Sequence, residues 1–294
     1  MDKLVDFLAR YPVVLGDGAM GTMLQKAGLT TGGSPEEWNI SHPEALRAIY
    51  EGYVDAGSQV ITTNSFGGNR FRLVLHNYQD RVCEFNRAAA ALAREVADAA
   101  GREVLVAGSV GPTGEILFPL GLRTVEEARE AFAEQAAGLH EGGVDFFLVE
   151  TMSALEEVQA AVEGIRSASD RPVAVTMTFD TRLHTMMGVS PVQALKTLYG
   201  MGVHVLGANC GNGPAETQTV IAQMATAKPD DVYLIAQSNA GLPKWAQKQI
   251  TYDGTPEVMA AYAEQMQALG VKYIGACCGS TPEHIAAMRV ALQK

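Results

Sequence analysis

Few cysteines, no long apolar run and no concentration of positive charge mark this 294-residue chain, which has only four cysteines and two tryptophans. No run approaches the roughly 18 consecutive apolar residues of a membrane-spanning helix, so no membrane segment is expected. No Lys/Arg cluster is dense enough to track phosphates, and a net charge of -11 with pI near 5.0 argues against a nucleic-acid partner. The amino terminus, MDKLVDFLARYPVVLGDG, interrupts its apolar content with Asp2 and Asp6 and reads as neither a secretion signal nor a transit peptide. A cytoplasmic protein with reduced thiols is therefore expected, in which clustered cysteines serve a metal or catalysis more often than disulfides. No G-x-G-x-x-G opens the first helix, which weighs against an open dinucleotide-binding sheet.

What is present is a repeated unit, a short β-branched run ending in a small or polar residue and followed by a helical stretch. The runs are VVLGDG (13–18), VITTNS (60–65), VLVAGSVG (104–111), FFLVET (146–151), VAVTMTF (173–179), VLGANC (205–210), YLIAQSNA (233–240) and YIGACCG (273–279). Between them lie amphipathic segments such as PEALRAIYEGYVDAG and VEEAREAFAEQAAGLHEGG, several closed by glycine. Nearly continuous apolar strands alternating with helices form a parallel sheet covered by helices. Eight units in fewer than 300 residues predict an α/β fold, a single eight-fold β/α (TIM) barrel over 1–294, for which roughly 250 residues is typical.

In such a barrel the chemistry gathers at the C-terminal ends of the strands. Those ends read Asp17-Gly18, Thr63-Asn64, Gly111-Pro112-Thr113, Glu150-Thr151, Asn209-Cys210, Ser238-Asn239 and Cys277-Cys278. The closed barrel brings Cys210, at the end of the sixth strand, to the same rim as Cys277 and Cys278, at the end of the eighth. Adjacent cysteines on a strand face opposite ways and a disulfide between them is strained, so a metal is the more natural claimant. Three converging thiolates describe a zinc site with one open position, although the spacing lacks a paired C-x-x-C. Three small buried residues are the plain alternative. Cys83, inside a helical segment, reads as a packed core thiol.

GDGAMGTMLQ, TTNSFGGN, GANCG, SNAGLP and GACCGSTPEHI, taken together and in this order, resemble the homocysteine S-methyltransferases. That family includes betaine-homocysteine methyltransferase and the homocysteine-binding domain of cobalamin-dependent methionine synthase. The resemblance runs from about residue 12 to the C-terminus. It implies one Zn2+ per chain on Cys210, Cys277 and Cys278, homocysteine supplying the fourth ligand, and methyl transfer to its thiol to give methionine. Zinc holds the thiolate, which is the nucleophilic form of a group otherwise mostly protonated at neutral pH.

Glu150 is expected to meet the amine of homocysteine, as the resemblance implies, with a structural ion pair as the plain alternative. The first strand-to-helix turn, Asp17, Gly18, Ala19 and Met20, is expected to hold substrate, its backbone N–H groups suiting a carboxylate. A helix cap is the alternative for Asp17. Thr63, Asn64 and Asn209 are candidates for orienting groups around the metal, and Asn239 in SNAGLP matches the methionine-synthase branch. His42, His140, His204 and His284 read as structural or solvated, and His76 and His184 as loop residues. Met186 and Met187 read as irregular core filling or as a pocket for an apolar donor.

The expected donor is a methylated corrinoid (methylcobalamin) supplied by a separate corrinoid protein, or a small sulfonium or quaternary ammonium compound, since neither a second barrel nor a corrinoid domain is visible in this sequence. The alternatives are a non-catalytic zinc-binding or corrinoid-docking protein and a methyltransferase acting on another thiol. An aldolase-like barrel is disfavoured because no strand-end lysine is placed for a Schiff base.

Overall fold

A computed structural model describes residues 3–30, 32–246 and 249–293. Among these described residues ten strands run in chain order: β1 (Val14–Leu15), β2 (Val60–Thr62), β3 (Leu105–Val110), β4 (Phe146–Met152), β5 (Val173–Met177), β6 (Val205–Cys210), β7 (Tyr233–Ser238), β8 (Pro243–Ala246), β9 (Gln249–Tyr252) and β10 (Tyr273–Ala276). Eight of them form one parallel sheet in the order β1-β10-β7-β6-β5-β4-β3-β2, and β8 with β9 forms a separate antiparallel hairpin. The predicted barrel is present; seven of its eight strands fall within the predicted runs, and β4 runs one residue past its run, to Met152. The hairpin, inserted after β7, was not expected.

Between β1 and β2 the barrel closes without a regular ladder. One backbone bond, Gln59 N–H to Leu15 O at 2.7 Å, is joined by side chains. Ser58 Oγ donates to Gly16 O at 3.0 Å, and Gln59 Oε1 accepts from Leu15 N–H at 3.2 Å. Above them Asp17 accepts from both the backbone N–H and the hydroxyl of Thr62, at 2.6 and 2.9 Å. Side-chain carbonyls and hydroxyls thus take over where strands of two and three residues are too short to pair.

The strands alternate faces with period two. Leu105 and Ala107, Phe146 and Leu148, Val205, Ile235 and Tyr273 point into the barrel, where Leu4, Phe7 and Leu8 of the helix Lys3–Arg10 plug the lower end. Val106, Phe147, Val149, Leu206 and Leu234 face outward into the larger core beneath the helices. Helix limits follow the sequence closely. Proline occupies the first turn of Pro43–Ala56, Pro191–Gly200, Pro214–Ala227, Pro256–Ala268 and Pro282–Leu292. Helices 43–56 and 125–142 end on Gly57 and Gly143, at φ 112° and 95°, the left-handed backbone that glycine adopts without strain. Among the described residues, no helix is long and apolar enough to cross a membrane.

Candidate metal and substrate site

Carrying the period-two pattern one inward-facing position further toward the C-terminal ends builds the floor of the site. After Leu105 and Ala107 comes Ser109, after Phe146 and Leu148 comes Glu150, and after Ile235 comes Gln237. The inner face turns from apolar to polar at one level of the barrel. Above this floor opens a cavity of about 390 Å3, lined among others by Thr62, Ser109, Glu150 and Gln237.

Cys210, Cys277 and Cys278 line the same cavity. Their sulfurs all lie within 4.8 Å of one another, with Cys210 Sγ and Cys277 Sγ 2.6 Å apart. Backbone geometry accounts for the convergence. Cys210 ends β6 with φ 57° and is followed by Gly211 at φ 75°, so its side chain leaves strand alternation. Strand β10 stops at Ala276, and the chain turns through Cys278 and Gly279, the latter at φ 83°. The adjacent cysteines are therefore not on a strand, and the expected opposition of their side chains does not arise.

Three groups of contacts fix the turn. Cys277 N–H bonds Ser238 O at 2.7 Å and Ala240 N–H bonds Cys278 O at 2.9 Å. Ser280 Oγ accepts from Ala19 N–H at 2.9 Å and donates to Cys277 O at 2.7 Å. Thr22 Oγ1 accepts from Gly279 N–H at 3.0 Å. The loop after β1 and the cysteine turn are thus one assembly.

The thiols are not electrostatically equal. Hydrogen bonding from Cys210 and Cys277 lowers Cys278 to about 3 despite its burial. Cys277 is pushed well up by hydrogen bonding to Cys210 and Cys278 and by burial. For Cys210 the bond with Cys277 pulls down, but hydrogen bonding to Cys278, burial and nearby negative charge outweigh it and the thiol is raised. One thiolate and two thiols is what three packed sulfurs hold by themselves, and a cation binding all three must displace the remaining protons. The donor set fits a thiophilic metal ion with a tetrahedral preference. A further observation fits as well: Asn239 Oδ1 is buried without a partner, while its Nδ2 donates to Gly211 O at 2.6 Å, between the two cysteine-bearing turns.

Three carboxyls line the cavity. Burial pushes Glu150 up to about 7, opposed by the hydroxyl of Ser109 at 2.5 Å and reinforced by the charges of Asp17 and Cys278. Burial also raises Asp17 to about 7, against the two hydrogen bonds from Thr62. A third acid, Glu36, is raised by burial and accepts from Gly67 N–H at 2.8 Å and from Ser34 Oγ at 3.3 Å.

Of the residues singled out in the sequence, Asp17 to Met20, Thr63, Asn64, Glu150 and the three cysteines line the cavity. Asn209 and Asn239 do not; they lie behind it, buried at 2% and 5% exposure. The backbone N–H of Ala19, expected to face a carboxylate, is taken by Ser280. Asn64 spends its amide on Pro35 O at 2.7 Å and Asn39 Oδ1 at 3.2 Å, holding the segment that carries Glu36. Cys83 is exposed rather than packed in the core, because Val82, Phe85 and Asn86 take the inward face of its helix. Met186 and Met187 are 72% and 42% exposed and fill neither core nor pocket. Not foreseen were Glu36, Phe66, Arg72 and His76, which line the cavity from loops and short helical turns. Gln237 and Ser109 were also missed, although strand periodicity alone would have put both on the inner face.

Fold and site together define a β/α barrel whose mouth carries three converging thiols, a donor set able to hold a metal ion, beside a buried carboxyl pair. A model of the homocysteine S-methyltransferase family matches residues 14–292, and the chain belongs to that family. Methionine synthase of Mycobacterium tuberculosis (strain ATCC 25618 / H37Rv) is 35% identical over 304 residues, which cover 98% of this chain and 25% of the relative. Methionine synthase of Mycobacterium leprae (strain TN) is 34% identical over 306 residues, covering 99% and 25%. The chain therefore spans about a quarter of the length of these relatives. Among solved structures, the homocysteine methyltransferase MmuM of Escherichia coli shares the fold. Its metallated form superposes with TM-score 0.81 at 23% identity over 97% of this chain and 98% of MmuM. Its oxidised form gives 0.81 at 25%, with 99% of each chain covered.

Proposed function

We propose that this barrel transfers a methyl group to the thiol of homocysteine, giving methionine, with one zinc ion held by Cys210, Cys277 and Cys278. The observation that carries the reading is that three thiols within 4.8 Å of one another and the carboxyl of Glu150 face one cavity. That pairing matches the two ends of an amino-acid thiol. The metallated MmuM structure supports a metal in this fold. Zinc on three thiolates supplies a single piece of chemistry, namely capture of the substrate sulfur as its thiolate at neutral pH.

The protein's residues do the rest. Glu150 accepts the substrate ammonium, and that ammonium, by its charge, favours the ionised carboxylate over the proton it otherwise holds near neutrality. Ser109 holds Glu150 in place. Asp17 is kept on Thr62, so its part is to fix the loop whose residues Gly18, Ala19 and Met20 wall the cavity. Thr63 and Asn64 form the adjoining wall, and Asn209 and Asn239 support the cysteines from behind. With the sulfur deprotonated and aimed, a new S–C bond forms as the donor–methyl bond breaks, its electron pair leaving with the donor.

The donor we assign is a methylated corrinoid carried by a separate protein or domain. Similarity of SNAGLP to the cobalamin-dependent branch and the 35% identity to a methionine synthase four times as long support it. A small sulfonium or quaternary ammonium donor is the second reading, favoured by the match in length to MmuM. The site of action we assign is the cytoplasm. Purified zinc-loaded protein mixed with homocysteine and, separately, methylcobalamin, a methylsulfonium amino acid and betaine tests the assignment. Methionine with methylcobalamin is expected; methionine with the sulfonium alone reverses the donor, and methionine with none of them overturns the activity.

A further inference from the structure

Strand β4 carries a bulge at the site. Val149 pairs with Val175 and Met152 with Met177, so three steps on β4 match two on β5. The extra residue lies at Glu150-Thr151. Among the described residues, Thr151 is one of five non-glycine residues with positive φ, at 62°. A β-branched residue does not hold that backbone unless its surroundings impose it, and bulges beside sites serve to re-aim a side chain.

One carboxamide does the imposing. Asn209 Oδ1 accepts from Thr151 N–H at 2.8 Å and from Thr176 Oγ1 at 2.8 Å, and its Nδ2 donates to Thr151 Oγ1 at 2.7 Å. The same Nδ2 lies 4.0 Å from Cys277 Sγ, and Thr151 Oγ1 lies 4.0 Å from Cys210 Sγ. Asn209 is 2% exposed and does not itself line the cavity; it backs Thr151 and Cys277, which do. It ties β4, β5 and β6 together on the inner face, linking Thr151, the neighbour of Glu150 in the bulge, to Asn209's own neighbour in the chain, Cys210.

We infer that Asn209 is a positioning residue that holds the bulge at Thr151 and thereby sets Glu150, the amine end of the site, at a fixed distance from the cysteines, the thiol end. The inference rests on the reading of Glu150 as the amine partner. It assigns to Asn209 the discrimination of an amino-acid thiol from a thiol lacking the amine, a role separate from direct contact with substrate.

The test is the ratio of dissociation constants for 4-mercaptobutyrate, which keeps the thiol and carboxylate but lacks the amine, and homocysteine, measured by calorimetry on zinc-loaded protein with the metal content of each sample recorded. In the parent the ratio should favour homocysteine by roughly tenfold or more, the size of a hydrogen bond to a charged group. Glu150→Gln should bring it close to one. Asn209→Ala should also bring it most of the way to one, with zinc still bound. Thr151→Ala, which deletes one of the two Asn209–Thr151 bonds, should give an intermediate ratio, and it decides the matter by the same criterion if Asn209→Ala loses fold or metal. A parental ratio in the deciding variant, with Glu150→Gln collapsed, overturns the inference alone. A parental ratio in Glu150→Gln overturns the amine reading and the inference with it.

Discussion

The sulfur atoms of Cys210 and Cys277 stand 2.6 Å apart in space and 67 positions apart in the chain. Only closure of the barrel brings them together, because β6 and β10 flank β7 in the sheet. A thiol pair at this separation, with a third sulfur beside it, is the physical core of the functional reading.

Metal content follows first. The protein should hold about one zinc per chain, with Zn–S distances of roughly 2.3 Å. Cys277→Ala should lose it and Cys83→Ala should keep it, since Cys83 is exposed and its thiol bonds Glu134 O, at 3.6 Å, away from the site. Elemental analysis and X-ray absorption check both. Full zinc in Cys277→Ala contradicts the site.

Glu150→Gln keeps the shape of the side chain and removes its charge. Homocysteine should bind more weakly by about 1.5–3 kcal/mol, the range for a hydrogen bond to a charged group, at unchanged zinc content. Burial places the Glu150 carboxyl at about 7 in the free protein, so the parent's advantage over Glu150→Gln should grow from pH 6 to pH 8. Comparing parent with variant cancels the pH dependence of the substrate thiol. An advantage independent of pH would return Glu150 to a structural role.

Asp17 should make stability depend on pH. Its folded pKa, about 7, is raised above the ordinary 3.8 by burial, so folding favours the protonated form. That contribution is fully present below pH 4 and is lost as pH rises through about 7. Unfolding in urea should show the parent losing up to about 4 kcal/mol relative to Asp17→Asn between pH 4 and pH 8, three pKa units at 1.36 kcal/mol each. A constant difference across that range would mean that Thr62 keeps the carboxylate ionised throughout.

Ser280→Ala removes the hydroxyl that joins the first loop to the cysteine turn, leaving Ala19 N–H buried without its acceptor. A cost of about 1–3 kcal/mol is expected, with weaker homocysteine binding, because the two walls of the cavity are then untied. Denaturant titration and calorimetry read the two effects. Parental values in both would show that the link is incidental.

The sequence carried the barrel because each strand is a β-branched run with its polar residue at the C-terminal end, and because prolines and glycines stand at the helix limits. It carried the cysteines through that same placement. What it did not carry depends on backbone angles and loop paths. Cys277 and Cys278 converge with Cys210 because the chain leaves β10 at Ala276 and Cys210 takes φ 57°, neither of which periodicity reveals. Asn209, a candidate for orienting groups around the metal, lies behind the cavity because the bulge at Thr151 lies over it, and no pattern in the sequence reveals that bulge. Cys83 follows a helical phase set by Val82, Phe85 and Asn86, and an apolar reading of DRVCEFNRAAAALA does not separate it from them. Glu36, Arg72 and His76 reach the cavity from loops and short helical turns, where hydrophobic pattern carries no directional information.

The central claim is that the three-cysteine site captures homocysteine through its thiol. Calorimetric titration of homocysteine into the zinc-loaded protein and into the same protein stripped of metal tests it most directly. The account predicts one homocysteine bound per zinc in the loaded protein and binding weakened at least a hundredfold, or lost, in the stripped protein, about 2.8 kcal/mol or more at 1.4 kcal/mol per factor of ten. Equal affinity in the two samples would contradict it and leave the cysteines a structural role.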